Sequence, residues 1–159
     1  MTANSSTEKP KALLIEDDPV FRQLVTISLA KRGYDTVEAV NFEEGLDVLE
    51  NTPLSFVITD IFMGGMGGIA GIQTLKEKFP NLPVIAISGG LADLDPDDAI
   101  TAAQKIGADA GVKKPISAID FDAALKQIDR GARYFLFQQE INGDEGIRPW
   151  LSMTGPRSS

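Results

Sequence analysis

The sequence predicts an α/β protein: a doubly wound parallel sheet in which five strands alternate with five helices. Three observations carry this expectation. Short apolar runs recur along the chain, and they are continuous, as in strands buried on both faces. Segments with apolar residues at helical spacing lie between them. Capping or breaking residues mark the joints between the two kinds of segment.

The elements follow in order. Residues 11–16 (KALLIE) form the first apolar run and lead into Asp17-Asp18-Pro19. Asp18 can cap a helix with Pro19 in its first position. Val20, Phe21, Leu24, Val25, Ile27 and Leu29 then recur at helical spacing until Gly33. Residues 34–39 read as a second strand, and Asn41 caps a second helix with Glu44 as its capping-box partner. Residues 54–59 (LSFVIT) are a buried-type strand ending in Asp60. A glycine-rich loop over 63–68 leads to a helix over about 69–79. The fourth strand, 83–88 (PVIAIS), runs into Gly89-Gly90. Asp95-Pro96 opens a helix that Gly107 closes, residues 109–113 are a weak fifth strand, and Ser117 caps a last helix.

Composition removes several function classes. Of 159 residues none is Cys and none is His, so disulfides, thiolate or imidazole metal sites and histidine bases are excluded. A net charge of −8 argues against a nucleic-acid surface, which needs clustered Lys and Arg. No apolar run is long enough to span a bilayer, and the polar residues 1–9 read as a disordered leader with no secretion signal. Chemistry is left to carboxylates, hydroxyls, lysine or a hard cation.

Five polar residues share one placement. Glu16, Asp17, Asp60, Ser88 and Lys114 each lie at or just past the end of a strand. In an open parallel sheet those ends form one edge, where ligands bind. Alone, each has a bland reading: an acidic turn, a strand-end acid, a turn serine, a surface lysine. Together they make one pocket. Three crowded carboxylates repel, and all-oxygen ligation without His or Cys suits Mg²⁺. A carboxylate can act as nucleophile toward phosphorus, with lysine and a hydroxyl holding the phosphoryl oxygens. The glycine-rich loop lacks the GK[ST] of a nucleotide-binding P-loop.

The pieces LLIEDDP, ITDIFM, AISGG and VKKP closely resemble the receiver domains of two-component response regulators, over about residues 11–130. The resemblance implies a flavodoxin-like fold with strand order 2-1-3-4-5. It implies that Asp60 is the phospho-acceptor and that Glu16, Asp17, Asp60 and the Phe62 backbone carbonyl hold Mg²⁺. Ser88 would be the switch hydroxyl and Lys114, rather than Lys113, the site lysine, followed by a cis bond to Pro115. It further implies a cytoplasmic, stand-alone chemotaxis- or phosphorelay-type receiver, not an enzyme with turnover. Its partners would be a histidine kinase or phosphotransfer protein, and a downstream protein met by about residues 95–130.

Three positions depart from the family pattern. Gly64 and Gly67 stand where Pro and Asp are usual, which favours a mobile loop. Gly111 stands where an aromatic switch residue is usual, so that relay cannot operate. Phe62, two residues past the acceptor, is expected to shield an acyl phosphate from water. Two other classes stay open. One is a phosphorylation-independent pseudo-receiver adaptor. The other is a haloacid-dehalogenase-type enzyme, which would want an acid at position 62.

Leu125, Ile128, Ala132 and Phe135 continue the spacing of the last helix past Arg130, although Gly131 weakens it. The apolar run at 134–137 either pads the domain's own core or forms a docking or phosphorylation-dependent dimer surface. Residues 142–159 read as a loose tail that Trp150 and Leu151 could anchor.

Overall fold

A computed structural model of the protein describes residues 9–62, 68–89 and 95–129. The expected leader (apart from Lys9), the centre of the glycine-rich loop and everything predicted beyond Asp129 lie outside the described residues.

The elements appear in the expected order: β1 (Lys11–Ile15), α1 (Pro19–Lys31), β2 (Asp35–Ala39), α2 (Phe42–Asn51), β3 (Phe56–Asp60), α3 (Gly68–Lys78), β4 (Val84–Ser88), α4 (Pro96–Lys105) and β5 (Ala110–Lys113). A fifth helix, α5, covers described residues 118–129. The five strands are parallel in the order β2-β1-β3-β4-β5. Boundaries moved by a residue or two. Leu54 is buried but precedes β3, and Glu16 follows β1 instead of ending it.

The caps form as their chemistry dictates. The Asp18 carboxylate accepts from the N–H groups of Val20 (3.0 Å) and Phe21 (3.4 Å). Asn41 accepts from Glu44 N–H at 2.8 Å. The Glu44 side chain reaches back to the N–H of Val40 at 2.7 Å, one residue before the position a standard capping box uses. Ser117 Oγ accepts from Asp120 N–H at 3.0 Å.

Alternation along each strand divides the core in two. Leu13, Ile15, Val57, Val84 and Ala86 face the side covered by α2, α3 and α4. Ala12, Leu14, Phe56, Ile58, Ile85 and Ile87 face the side covered by α1 and α5. The stripe predicted for α1 is only partly inside: Val25 and Leu29 are buried, while Leu24 is 60% and Ile27 47% exposed. Spacing identifies an apolar stripe but not how much of it a neighbouring helix covers.

One glycine is required by a close approach. Gly68 N–H donates to the Ile61 carbonyl at 3.0 Å, closing the loop after β3. A Cβ at Gly68 would lie 2.0 Å from that oxygen, so only glycine permits the contact.

Candidate functional site

Parallel register places the predicted residues together. Ile15 is level with Thr59, Asp60 with Ile87, and Ser88 with Lys113. Glu16, Asp60, Ser88 and Lys114 therefore sit at one end of the sheet. Lys114 N–H donates to the Ser88 carbonyl at 2.9 Å, which ties the last two backbones together. The Lys114-Pro115 peptide is cis.

Asp60 is 4% exposed and both its oxygens are engaged. Oδ2 lies 2.7 Å from Lys114 Nζ, and Oδ1 accepts from Phe62 N–H at 2.8 Å. Glu16 is fully buried. Its Oε2 accepts from Asp18 N–H at 3.1 Å. Its Oε1 is 3.3 Å from Lys114 Nζ, close enough for ion pairing, yet it receives no directed hydrogen bond. One ammonium thus serves two buried carboxylates.

The electrostatics follow. Burial, then the contact with Asp60, pushes the Glu16 carboxyl up to about 7, against the lowering effects of the Asp18 N–H and Lys114. For Lys114, burial by itself favours the neutral amine. The hydrogen bond to Asp60 and the two negative charges together outweigh it and hold the pKa above the usual lysine value. The amine therefore remains a cation.

Other predicted residues fall less centrally. Asp17 is exposed, and among the described residues no three acidic side chains form a ready-made metal cage. Ser88 is fully buried at the end of β4. Lys113 is exposed and pairs with Asp97 at 3.4 Å, whereas Lys114 is the lysine that meets Asp60 and Glu16. The half-buried Phe62 packs against the core cluster beneath α2, α3 and α4. At Gly111 a Cβ would lie 2.2 Å from Ile100 Cγ2, so α4 occupies the space an aromatic side chain would need.

Two residues escaped the sequence reading. Arg22 Nη1 donates to the Glu16 carbonyl at 2.8 Å and its Nε pairs with Glu38 at 3.0 Å, pinning the acidic turn to β2. Helical side chains lean toward the helix N-terminus, so a cation one turn into α1 was the available signal. The Phe21 ring lies 4.1 Å from Lys114 Nζ in a cation–π contact. Phe21 had been counted only as part of an apolar stripe.

A model of the response regulator receiver domain matches residues 12–126. The chain belongs to that family. Among curated relatives, the receiver is 31% identical over 131 residues to the uncharacterized transcriptional regulatory protein YcbL of Bacillus subtilis, covering 82% of this chain and 56% of that protein. It is 30% identical over 142 residues to the DNA-binding transcriptional regulator NtrC of Salmonella typhimurium, covering 89% of this chain and 29% of that one. The chain thus spans about half or less of the length of these relatives. A solved receiver domain protein from Clostridium thermocellum superposes with a TM-score of 0.69 at 28% identity, covering 80% of this chain and 98% of that one. The receiver is a signalling module of the two-component type, and its fold is the flavodoxin-like one expected.

Proposed function

We propose that the receiver accepts a phosphoryl group on Asp60 from the phospho-histidine of a kinase or phosphotransfer protein. The observation that carries this reading is the buried Asp60 carboxylate held at 2.7 Å by Lys114. A buried acid with a cation in direct contact is poised as a nucleophile whose product charge can be matched. An Asp60 oxygen attacks phosphorus, and an O–P bond forms as the P–N bond to the donor imidazole breaks. The electron pair stays on the imidazole nitrogen, which takes up a proton. Lys114 then turns from the carboxylate to a phosphoryl oxygen, and the Ser88 hydroxyl donates to another.

The donor set fits Mg²⁺. Glu16 Oε1 is buried without a hydrogen-bond donor beside the buried Asp60, and every candidate ligand is oxygen. Glu16, Asp17, Asp60 and the Phe62 carbonyl would hold the ion, with Asp17 turning inward from its exposed position. When bound, Mg²⁺ neutralises charge on the phosphoryl oxygens.

The receiver unit spans about residues 10–130, with 131–159 as an extension. Its only catalysis is its own phosphorylation and dephosphorylation. It signals by protein–protein contact through about residues 95–130, without binding nucleic acid. Among the described residues no helix is long and apolar enough to cross a membrane, and we place its work in the cytoplasm.

The test is labelling of the purified protein by a small acyl-phosphate donor with Mg²⁺, read by intact mass. One phosphate that needs Mg²⁺ and is lost in Asp60→Ala is expected. The exposed Asp17 and the lack of a ready-made cage among the described residues favour a second reading, a phosphorylation-independent pseudo-receiver adaptor. Absence of both labelling and calorimetric Mg²⁺ binding would establish that reading instead.

A further inference from the structure

An open groove of about 780 Å³ runs between α1 and the start of α5. That is within the size range of sites that enclose a ligand, roughly 300–1,000 Å³. Phe21, Leu24, Ile27, Pro115, Ile116 and Phe121 supply its apolar wall. Lys31, Arg32 and Lys114 also line it, and none of the described lining residues is acidic; Arg32 is already paired with Asp122, and Lys114 with Asp60 and Glu16. The exposure of Leu24 and Ile27 leaves an apolar helix face for which the described residues provide no cover.

The chain carries a matching segment. Residues 134–137 read Tyr-Phe-Leu-Phe, and between Arg133 and Arg148 there are three acids (Glu140, Asp144, Glu145) and no Lys or Arg. We propose that this segment, residues 134–145 of the same chain, packs its four apolar side chains into the α1–α5 groove and sets its acids toward Lys31.

Reach supports an intramolecular occupant. Asp129 lies beside Pro10, Tyr34, Ser55, Phe56 and Pro83, at the end of the sheet opposite Asp60. The groove's near end is marked by Arg32, which pairs with Asp122 at 2.6 Å and stacks over Phe121 at 5.2 Å. Helix rise places Phe121 about 12 Å from Asp129 along α5. The five residues from Asp129 to Tyr134 span up to about 17 Å. Gly131 in that short connection permits the left-handed conformation that reverses a chain after a helix. Burying the apolar side chains there also resolves the liability of leaving them in water.

The absence of native cysteine makes the test clean. Leu24→Cys with Phe135→Cys in the full chain is treated with a short bismaleimide. The control pairs Phe135→Cys with Glu50→Cys, an exposed position at the end of α2 on the opposite face of the sheet. Thermal melts matching wild type verify folding. An intramolecular contact acts at an effective concentration in the millimolar range, about a hundredfold above protein at about 10 μM. The expected result is a cross-linked monomer, formed at a rate independent of protein concentration and at least about tenfold faster than in the control pair. A cross-linked dimer whose rate rises with concentration would mean that a second copy fills the groove, and would overturn the proposal. Equal rates in the two pairs, or no product, would overturn it as well.

Discussion

Replacing Gly111 by alanine tests how α4 and β5 are fitted together. A Cβ there would lie 2.2 Å from Ile100 Cγ2 and 3.2 Å from both Cβ and Cγ1 of Ile100. Carbon atoms prefer roughly 3.5–4.0 Å, so the nearest contact is short by more than about 1 Å. Ile100 is β-branched and helical, so its χ1 has one strongly preferred well and the methyl cannot simply swing aside. Overpacking of this kind costs about 1–3 kcal/mol. Loss of glycine's unfolded-state freedom returns about 0.5–1 kcal/mol, leaving a net destabilisation of about 1–2 kcal/mol. Ile100→Ala alone removes a half-buried side chain and costs about 2 kcal/mol, the low end for such truncations. In the double variant the added methyl enters the space Ile100 vacates. A coupling of about 2 kcal/mol is therefore expected, making the double variant more stable than the sum of the singles. Urea unfolding with an unchanged m-value measures all four proteins. Additivity within about 0.5 kcal/mol would show that Ile100 is not what excludes a side chain at 111.

Four further outcomes follow from the same structure. Lys114→Ala removes the cation shared by Glu16 and Asp60 and should slow acyl-phosphate labelling by about 10²-fold, and a rate near wild type would end its role as a clamp. Phe62→Asn should speed loss of phosphate from Asp60 several-fold, by about half a kcal/mol or more in barrier, and an unchanged decay followed by intact mass would dismiss the shielding idea. Asp109 accepts from Val84 N–H at 2.9 Å and Lys76 Nζ at 3.3 Å, so Asp109→Ala should cost about 2–3 kcal/mol in urea unfolding, far above a surface change. The Arg32 guanidinium holds the Asp122 carboxyl below its ordinary value of 3.8. Because the folded pKa is the lower one, that stabilisation is present above the unfolded value and disappears as pH falls through the folded one. Asp122→Asn should therefore lose a little stability at pH 7 and none at the acid end, and an identical loss at both would refute the linkage.

Much of the architecture was legible because caps and strand-end residues act locally. Asp18 before Pro19, Asn41 before Glu44 and Ser117 each satisfy backbone donors two or three residues on, so spacing alone exposes them. The gathering of Glu16, Asp60, Ser88 and Lys114 was legible for a different reason: parallel strands align their ends, so a strand-end residue has nowhere else to go. What stayed hidden depends on neighbours distant in sequence. Nothing local says that Ile100 fills the space beside Gly111, or that Phe21, packed against the core, also contacts Lys114. Asp17 was expected beside Glu16 and Asp60, yet it lies exposed, as does the capping Asp18. The partial exposure of the α1 stripe was not legible because periodicity counts apolar residues without knowing which of them a neighbouring helix covers.

The bond from Gly68 to Ile61 has a consequence for how this module can be varied. It joins the two ends of the segment over residues 62–67, with Gly68 N 3.0 Å from the Ile61 carbonyl oxygen. Lengthening a closed loop is inexpensive, about 0.6 kcal/mol for each doubling. Foreign sequence could be spliced in at this point, and β3 would still deliver Asp60 to the same place.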